Sequence, residues 1–201
     1  MRRFIAPAVV LFVLLCASSA WALQEGEFSL APQGGMATLP GTLGGLVGAD
    51  FAYGAGVGYG ICDLVGIEAD FLYSVHQELD EEETGRLNLV HFLAGLGPRL
   101  NWVTPYGIPY LGVSFAAGFL RYQARWNAAG GVMRDEEDAH SFGGLLNFGY
   151  DVYIADGLTI GLAGRAGYLF SNLEYKHKDT DDGDAGGYAY VAGLARFTLL
   201  F

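Results

Sequence analysis

The chain has 201 residues, 52% of them hydrophobic and only 16% charged, with 31 glycines and a formal net charge of −11. The acidity excludes a nucleic-acid binder that works through charge, and the 13 Phe, 12 Tyr and 3 Trp exclude a disordered chain. So many glycines argue against a helix bundle, because each one in a helix interior costs about 1 kcal/mol relative to alanine.

Residues 1–22 read as an export signal. Arg2 and Arg3 give a basic start, Phe4 to Cys16 is apolar, and Ala20 and Ala22 flank Trp21 at the spacing of a cleavage site. The apolar run is short of the roughly 20 residues that a membrane-spanning helix needs. Leu15 stands where a lipoprotein signal carries a small residue, so Cys16 is not read as a lipid anchor. The mature domain is therefore expected at residues 23–201. It keeps Cys62 alone, which excludes an internal disulfide, and nine basic residues against 22 acidic ones.

Beyond the signal the hydrophobic period is two. A first, weaker strand is expected near Glu27 to Met36, where Pro32, Gly34 and Gly35 interrupt it. In the second, Phe51, Tyr53, Val57, Tyr59 and Ile61 share one face, while Gly48, Asp50, Ala52 and four glycines share the other. Ile67, Phe71, Tyr73 and Val75 then oppose Glu68, Asp70, Leu72 and Ser74. Val90, Phe92, Leu96 and Leu100 oppose His91, Leu93, Arg99 and Asn101. Leu111 to Phe119, Leu146 to Ile154 and Leu158 to Phe170 continue the alternation, with Asp151 and Arg165 on the small and polar face. The last strand sets Val191, Phe197, Leu199 and Phe201 against Tyr190, Arg196 and Thr198.

Connections alternate in length. Short ones fall at 62–65, 102–109 and 155–157, and long ones at 38–46, 76–86, 126–140 and 174–187. Antiparallel strands deliver every second connection to the same end, so this is an up-and-down meander of eight strands. Such a meander closes either as a soluble barrel, with its apolar face inside, or as a membrane barrel, with that face outside. The polar face here is mostly Gly, Ala and Ser with isolated charges, which suits a cramped interior and not a solvated exterior. The Phe, Tyr, Leu, Val and Ile of the other face would overfill an eight-stranded lumen. The fold class is thus all-β, an eight-stranded antiparallel up-and-down transmembrane barrel.

With its signal segment, amphipathic strands and aromatic end, the chain resembles the small eight-stranded outer-membrane barrels of Gram-negative bacteria, of the outer-membrane protein A and X type. The resemblance implies termini in the periplasm, long loops outside the cell, no attached peptidoglycan-binding domain, and an outer-membrane location. It also makes Phe197, Leu199 and Phe201 a signal for the barrel assembly machinery.

Several residue groups are candidates for function. Asp50, Glu68, Asp70, Arg99, Asp151, Arg165 and Arg196 fall on the inward face, where charges are costly unless paired, so an ion-pair network is expected. It reads as a structural plug or as a gate; four acids against three arginines would make an opened path lean to cations. Fourteen of the 22 acidic residues fall in the last three long connections, including Asp135 to Asp138. These read as a solvated surface or as a site for divalent cations bridging to lipopolysaccharide phosphates. The run Asp179, Asp181, Asp182, Asp184 has part of a calcium loop but lacks its closing Glu. Adjacent strand residues face opposite ways, so His140 and Ser141 do not make a base and nucleophile pair, and no catalytic residue is assigned. Tyr73, Trp126, Phe142, Phe170, Tyr188 and Tyr190 at one end, and Trp102, Tyr106 and Tyr110 at the other, are expected in the interfacial girdles.

The functional expectation is a monomeric envelope barrel without chemistry, cofactor or resident metal. Its partners would be outer-membrane lipid and lipopolysaccharide, the assembly machinery and divalent cations. The alternatives are a narrow cation-leaning channel and, third, a lipid A-modifying enzyme.

Overall fold

A computed structural model of the chain describes residues 25–41, 43, 48–79, 85–128, 131–177 and 180–201. The expected signal segment lies outside them. Among the described residues ten strands are formed: β1 (Phe28–Thr38), β2 (Asp50–Gly60), β3 (Val65–Leu79), β4 (Gly85–Asn101), β5 (Gly107–Ala128), β6 (Gly131–Ala155), β7 (Leu158–Ser171), β8 (Leu173–His177), β9 (Thr180–Ala185) and β10 (Tyr188–Leu200). Eight of them close a barrel in the order β1-β10-β7-β6-β5-β4-β3-β2, every pair antiparallel, and β8 and β9 form a separate hairpin.

Closure is what lets strands cross lipid, because it leaves no open edge of backbone donors and acceptors. The seam is β1 against β10, and it is finished by reciprocal bonds between Phe28 and Phe201, at 2.8 and 3.0 Å. Phe197, Leu199 and Phe201 lie on the outward face there. Outward-facing Phe51, Phe115, Leu162 and Phe170 are among the most exposed residues, whereas the alternate positions are buried. The apolar face is thus outside, as the period-two reading requires. Among the described residues no helix is long and apolar enough to cross a membrane.

Three of the long connections differ from expectation. Much of 76–86 and nearly all of 126–140 continue as strand, so β5 and β6 run for 22 and 25 residues and pair as far as Ala128 with Gly131. Within 174–187, β8 and β9 pair as a hairpin. Beyond the apolar belt both faces of a ribbon meet water, so the ladder persists while the alternation that announces a strand disappears. The short connections are tight. In one, Gly157 takes a φ of 71°, open to glycine at no steric cost.

Candidate functional site: the barrel interior

Each strand sends every second residue inward, and the inward positions form layers along the axis. Nearest the short turns lies a charged layer. Glu68 stands three residues into β3, Arg99 two from the end of β4, Asp151 four from the end of β6, and Arg196 four from the end of β10. All four are buried. Arg99 donates to Glu68 at 2.5 Å and to Asp151 at 3.1 Å. Arg196 donates to both oxygens of Glu68, at 2.6 and 3.1 Å, and its Nε lies 4.0 Å from Asp151. Glu68 is therefore the hub, one carboxylate shared by two guanidiniums from opposite sides of the lumen.

One step towards the long connections, Arg165 of β7 donates to Asp70 of β3 at 2.6 Å and to Gln33 of β1 at 3.0 Å. That pair spans the lumen past the β1–β10 seam. In a medium of low dielectric such pairs are strong, but each charge is costly if its partner is lost. Tyr110 packs beneath, with the Arg99 guanidinium carbon 3.6 Å from its ring centroid. The ring fits because its register partner is Gly149, where a Cβ would fall 2.5 Å from the Tyr110 hydroxyl and Cζ. Gly56 makes comparable room for Asp70.

Six of the seven charged residues expected in the lumen are thus brought together, three acids and three arginines. Asp50 stands apart. It is the first residue of β2, at the long-connection end, and its Oδ1 accepts from the Phe51 backbone N–H at 2.7 Å. Its parity matches the others, but its depth along the axis does not, and parity alone carries no depth. Without it the interior acids and arginines balance three to three, and the excess that favoured cations is gone.

Above the charges come buried Leu72, Leu93, Ala116, Leu145 and Leu194, and then a second polar layer. Tyr188 donates to Ser141 at 2.9 Å and lies 3.0 Å from Nε2 of His91. His76 bonds Ser74 at 3.1 Å and the Gly48 carbonyl at 3.2 Å, tying β3 to the segment ahead of β2. Leu39, Leu43, Tyr122, Leu169 and Leu173, all buried, pack at the long-connection end. His140, next to Ser141, faces out and stacks by Phe119, so the two side chains are separated by the sheet.

The girdle assignment requires correction. Tyr110, Tyr188 and Tyr190 are buried inside the barrel, because each lies on the inward parity of its strand. Proximity to a strand end selected them, and parity decided against it. Tyr73, Phe142 and Phe170 do face outward, with Phe142 and Phe170 ring centroids 5.8 Å apart. Gln33 and Tyr110 were missed as members of the lumen network; their inward parity was the available signal. Of the acidic run, Asp179 lies outside the described residues and Asp181, Asp182 and Asp184 fall on β9, so the expected loop is instead one strand of a hairpin. Among the described residues no three His, Cys, Asp or Glu converge as a metal site.

A closed antiparallel barrel with an apolar exterior and a paired, charged interior defines a transmembrane β-barrel. The family model of the outer membrane protein beta-barrel domain matches residues 8–162, and the chain belongs to that family, which places it in the outer membrane. No curated protein matches at the level of sequence. Solved structures share the fold. Neisserial surface protein A is 16% identical, with a TM-score of 0.54 over 88% of this chain and 100% of that one. Ail, the attachment invasion locus protein of Yersinia pestis, is 11% identical, with a TM-score of 0.53 over 89% of this chain and 100% of that one. OprG from Pseudomonas aeruginosa is 14% identical, with a TM-score of 0.52 over 88% of this chain and 97% of that one.

Proposed function

We propose that this protein is a closed structural barrel of the outer membrane that neither conducts ions nor catalyses a reaction, and that it acts through its exposed surface. The observation that carries this reading is the cross-lumen tether: Arg196 with Glu68, Arg99 with Asp151 and Arg165 with Asp70 are ion pairs between strands that do not neighbour one another, and Arg99 adds a pair to Glu68 on the adjacent strand. Opening a path would separate buried pairs, each of which costs several kcal/mol to leave uncompensated. The apolar layer above adds a barrier without polar groups to replace an ion's water. In this reading residues 1–22 are the export signal, the termini face the periplasm, the barrel is a monomer, and its last strand is read by the assembly machinery. The acidic outer connections keep the surface solvated and meet lipopolysaccharide through divalent cations.

The test is single-channel recording of the mature chain refolded into planar bilayers, with heat-dependent gel mobility showing that the barrel has formed. A silent folded barrel is expected. Discrete, stable openings would overturn the reading in favour of a channel, and the lumen arginines would then be its gate.

A further inference from the structure

Proline has no backbone N–H, so inside a sheet it removes a ladder bond and is normally confined to an edge strand. A closed barrel has no edge, yet two prolines stand inside its strands: Pro32 lies four residues into β1 and Pro98 three from the end of β4. The register shows what each removes. Reciprocal bonds join Phe28 to Phe201, so every second pair along that seam is of the same bonded kind, through Leu30 with Leu199 to Pro32 with Phe197. Pairing is interrupted at Ala31 and Pro32 and resumes at Gln33 with Arg196. β4 and β5 repeat the arrangement. Trp102 donates to the Pro109 carbonyl, which makes Pro98 with Val113 a pair of the bonded kind, and the ladder is interrupted at Gly97 and Pro98. The ladders thus give the carbonyls of Phe197 and Val113 no donor, on a part of the wall where lipid offers none either.

The two breaks are not placed at random. Separating β1 from β10 and β4 from β5 would divide the ring into β1-β2-β3-β4 and β5-β6-β7-β10, four strands each. The other six ladders run unbroken through the wall, apart from a register shift at the turn end of β6. Both breaks also fall at the height of the interior charges, since Pro32 precedes Gln33 and Pro98 precedes Arg99. There the side chains join what the backbone leaves weak. The pairs Arg196–Glu68, Arg99–Asp151 and Arg165–Asp70 each run from one half to the other. The Arg165 bond to Gln33 reaches over the β1–β10 break, and the stack of Arg99 on Tyr110 straddles the β4–β5 break.

We infer that the wall is built as two half-shells that part at Pro32–Phe197 and Pro98–Val113, with the cross-lumen ion pairs as the latch that holds them together. The latch rests on the same pairing that carries the proposed function, but the opening is in the wall and is read without conductance.

The test is backbone hydrogen–deuterium exchange, followed by NMR, of the mature barrel refolded into lipid nanodiscs. The reporters are the amides of Phe197 and Val113, and the comparison is with Ile160 and Leu162 of β7, whose ladders on both sides are continuous. In wild type the reporters are expected to exchange at least about tenfold faster than the β7 amides, through local opening. Asp70→Asn/Arg165→Gln removes both charges of one latch pair, and should quicken the reporters by about a further tenfold while leaving β7 unchanged. Pro32→Val/Pro98→Val supplies the missing donors at outward positions and should bring the reporters to the β7 rate in both backgrounds. Uniform exchange around the wall, quickening of β7 as much as of the reporters, or no response to the valines would overturn the inference. So would a rate that climbs steadily from Phe197 through Leu199 to Phe201, which is fraying of the chain end. Should the charge variant fail to fold, the valine comparison in the wild-type background decides alone. A conducting barrel with the two-seam pattern would refute only the closed-lumen reading, and a silent barrel with uniform exchange only the two half-shells.

Discussion

Replacing Glu68 with Gln removes one negative charge from the centre of the interior network without changing its volume. Glu68 accepts from Arg99 at 2.5 Å and from Arg196 at 2.6 and 3.1 Å, and it is 7% exposed. In Glu68→Gln one oxygen remains to accept, while the amide nitrogen presents its hydrogens to a guanidinium. Three arginines then share two carboxylates, Asp70 and Asp151, and Asp151 reaches the Arg196 Nε only at 4.0 Å. Removing one partner from a buried pair typically costs about 3–5 kcal/mol, because the remaining charge stays desolvated. Two partners are affected here, so the upper part of that range is expected. Urea unfolding of the barrel in lipid vesicles, followed by tryptophan fluorescence, would read the change from the unfolding midpoint and slope. The double variant Glu68→Gln/Arg196→Met should recover part of the loss, since removing both charges of a buried pair together leaves neither of them desolvated and uncompensated. A Glu68→Gln barrel within about 1 kcal/mol of wild type would refute the claim that this carboxylate is the hub.

Three further perturbations probe other layers. Gly149→Ala places a Cβ against the Tyr110 ring and is expected to cost about 1–3 kcal/mol by overpacking, lowering the unfolding midpoint and disturbing the stack of Arg99 on Tyr110. Tyr188→Phe strips both Ser141 and His91 of their shared partner, and the same unfolding assay should show a loss of about 1–3 kcal/mol with the closed barrel retained. The bonds from Arg121 hold the Asp138 carboxyl below the ordinary aspartate value. Its folded value is depressed, so the pair's contribution is present above the unfolded aspartate value and is lost as pH falls through the folded one. Carbon-13 NMR titration of the Asp138 carboxyl should therefore give a midpoint below about 3.9, and Arg121→Gln should return it towards that value.

The alternation of small and large residues by itself determined the barrel, its strand number and the face that meets lipid, because a period of two assigns every side chain to one of two sides and lipid tolerates only the apolar one. It also placed Glu68, Asp70, Arg99, Asp151, Arg165 and Arg196 inside. Parity fixes a side but not a height. Which charges meet, why Asp50 is left out, and why Glu68 takes two arginines all depend on the stagger between strands and on the reach of side chains across the lumen. Above the apolar belt even the side assignment becomes silent, since water lies on both faces and no hydrophobic signal marks the strand. The extension of β5 and β6 through the acidic run was set by backbone pairing carried up from the membrane-spanning part. Only the closed sheet, with its register propagated from strand to strand, brings Glu68, Arg99, Asp151 and Arg196 from four strands into one layer.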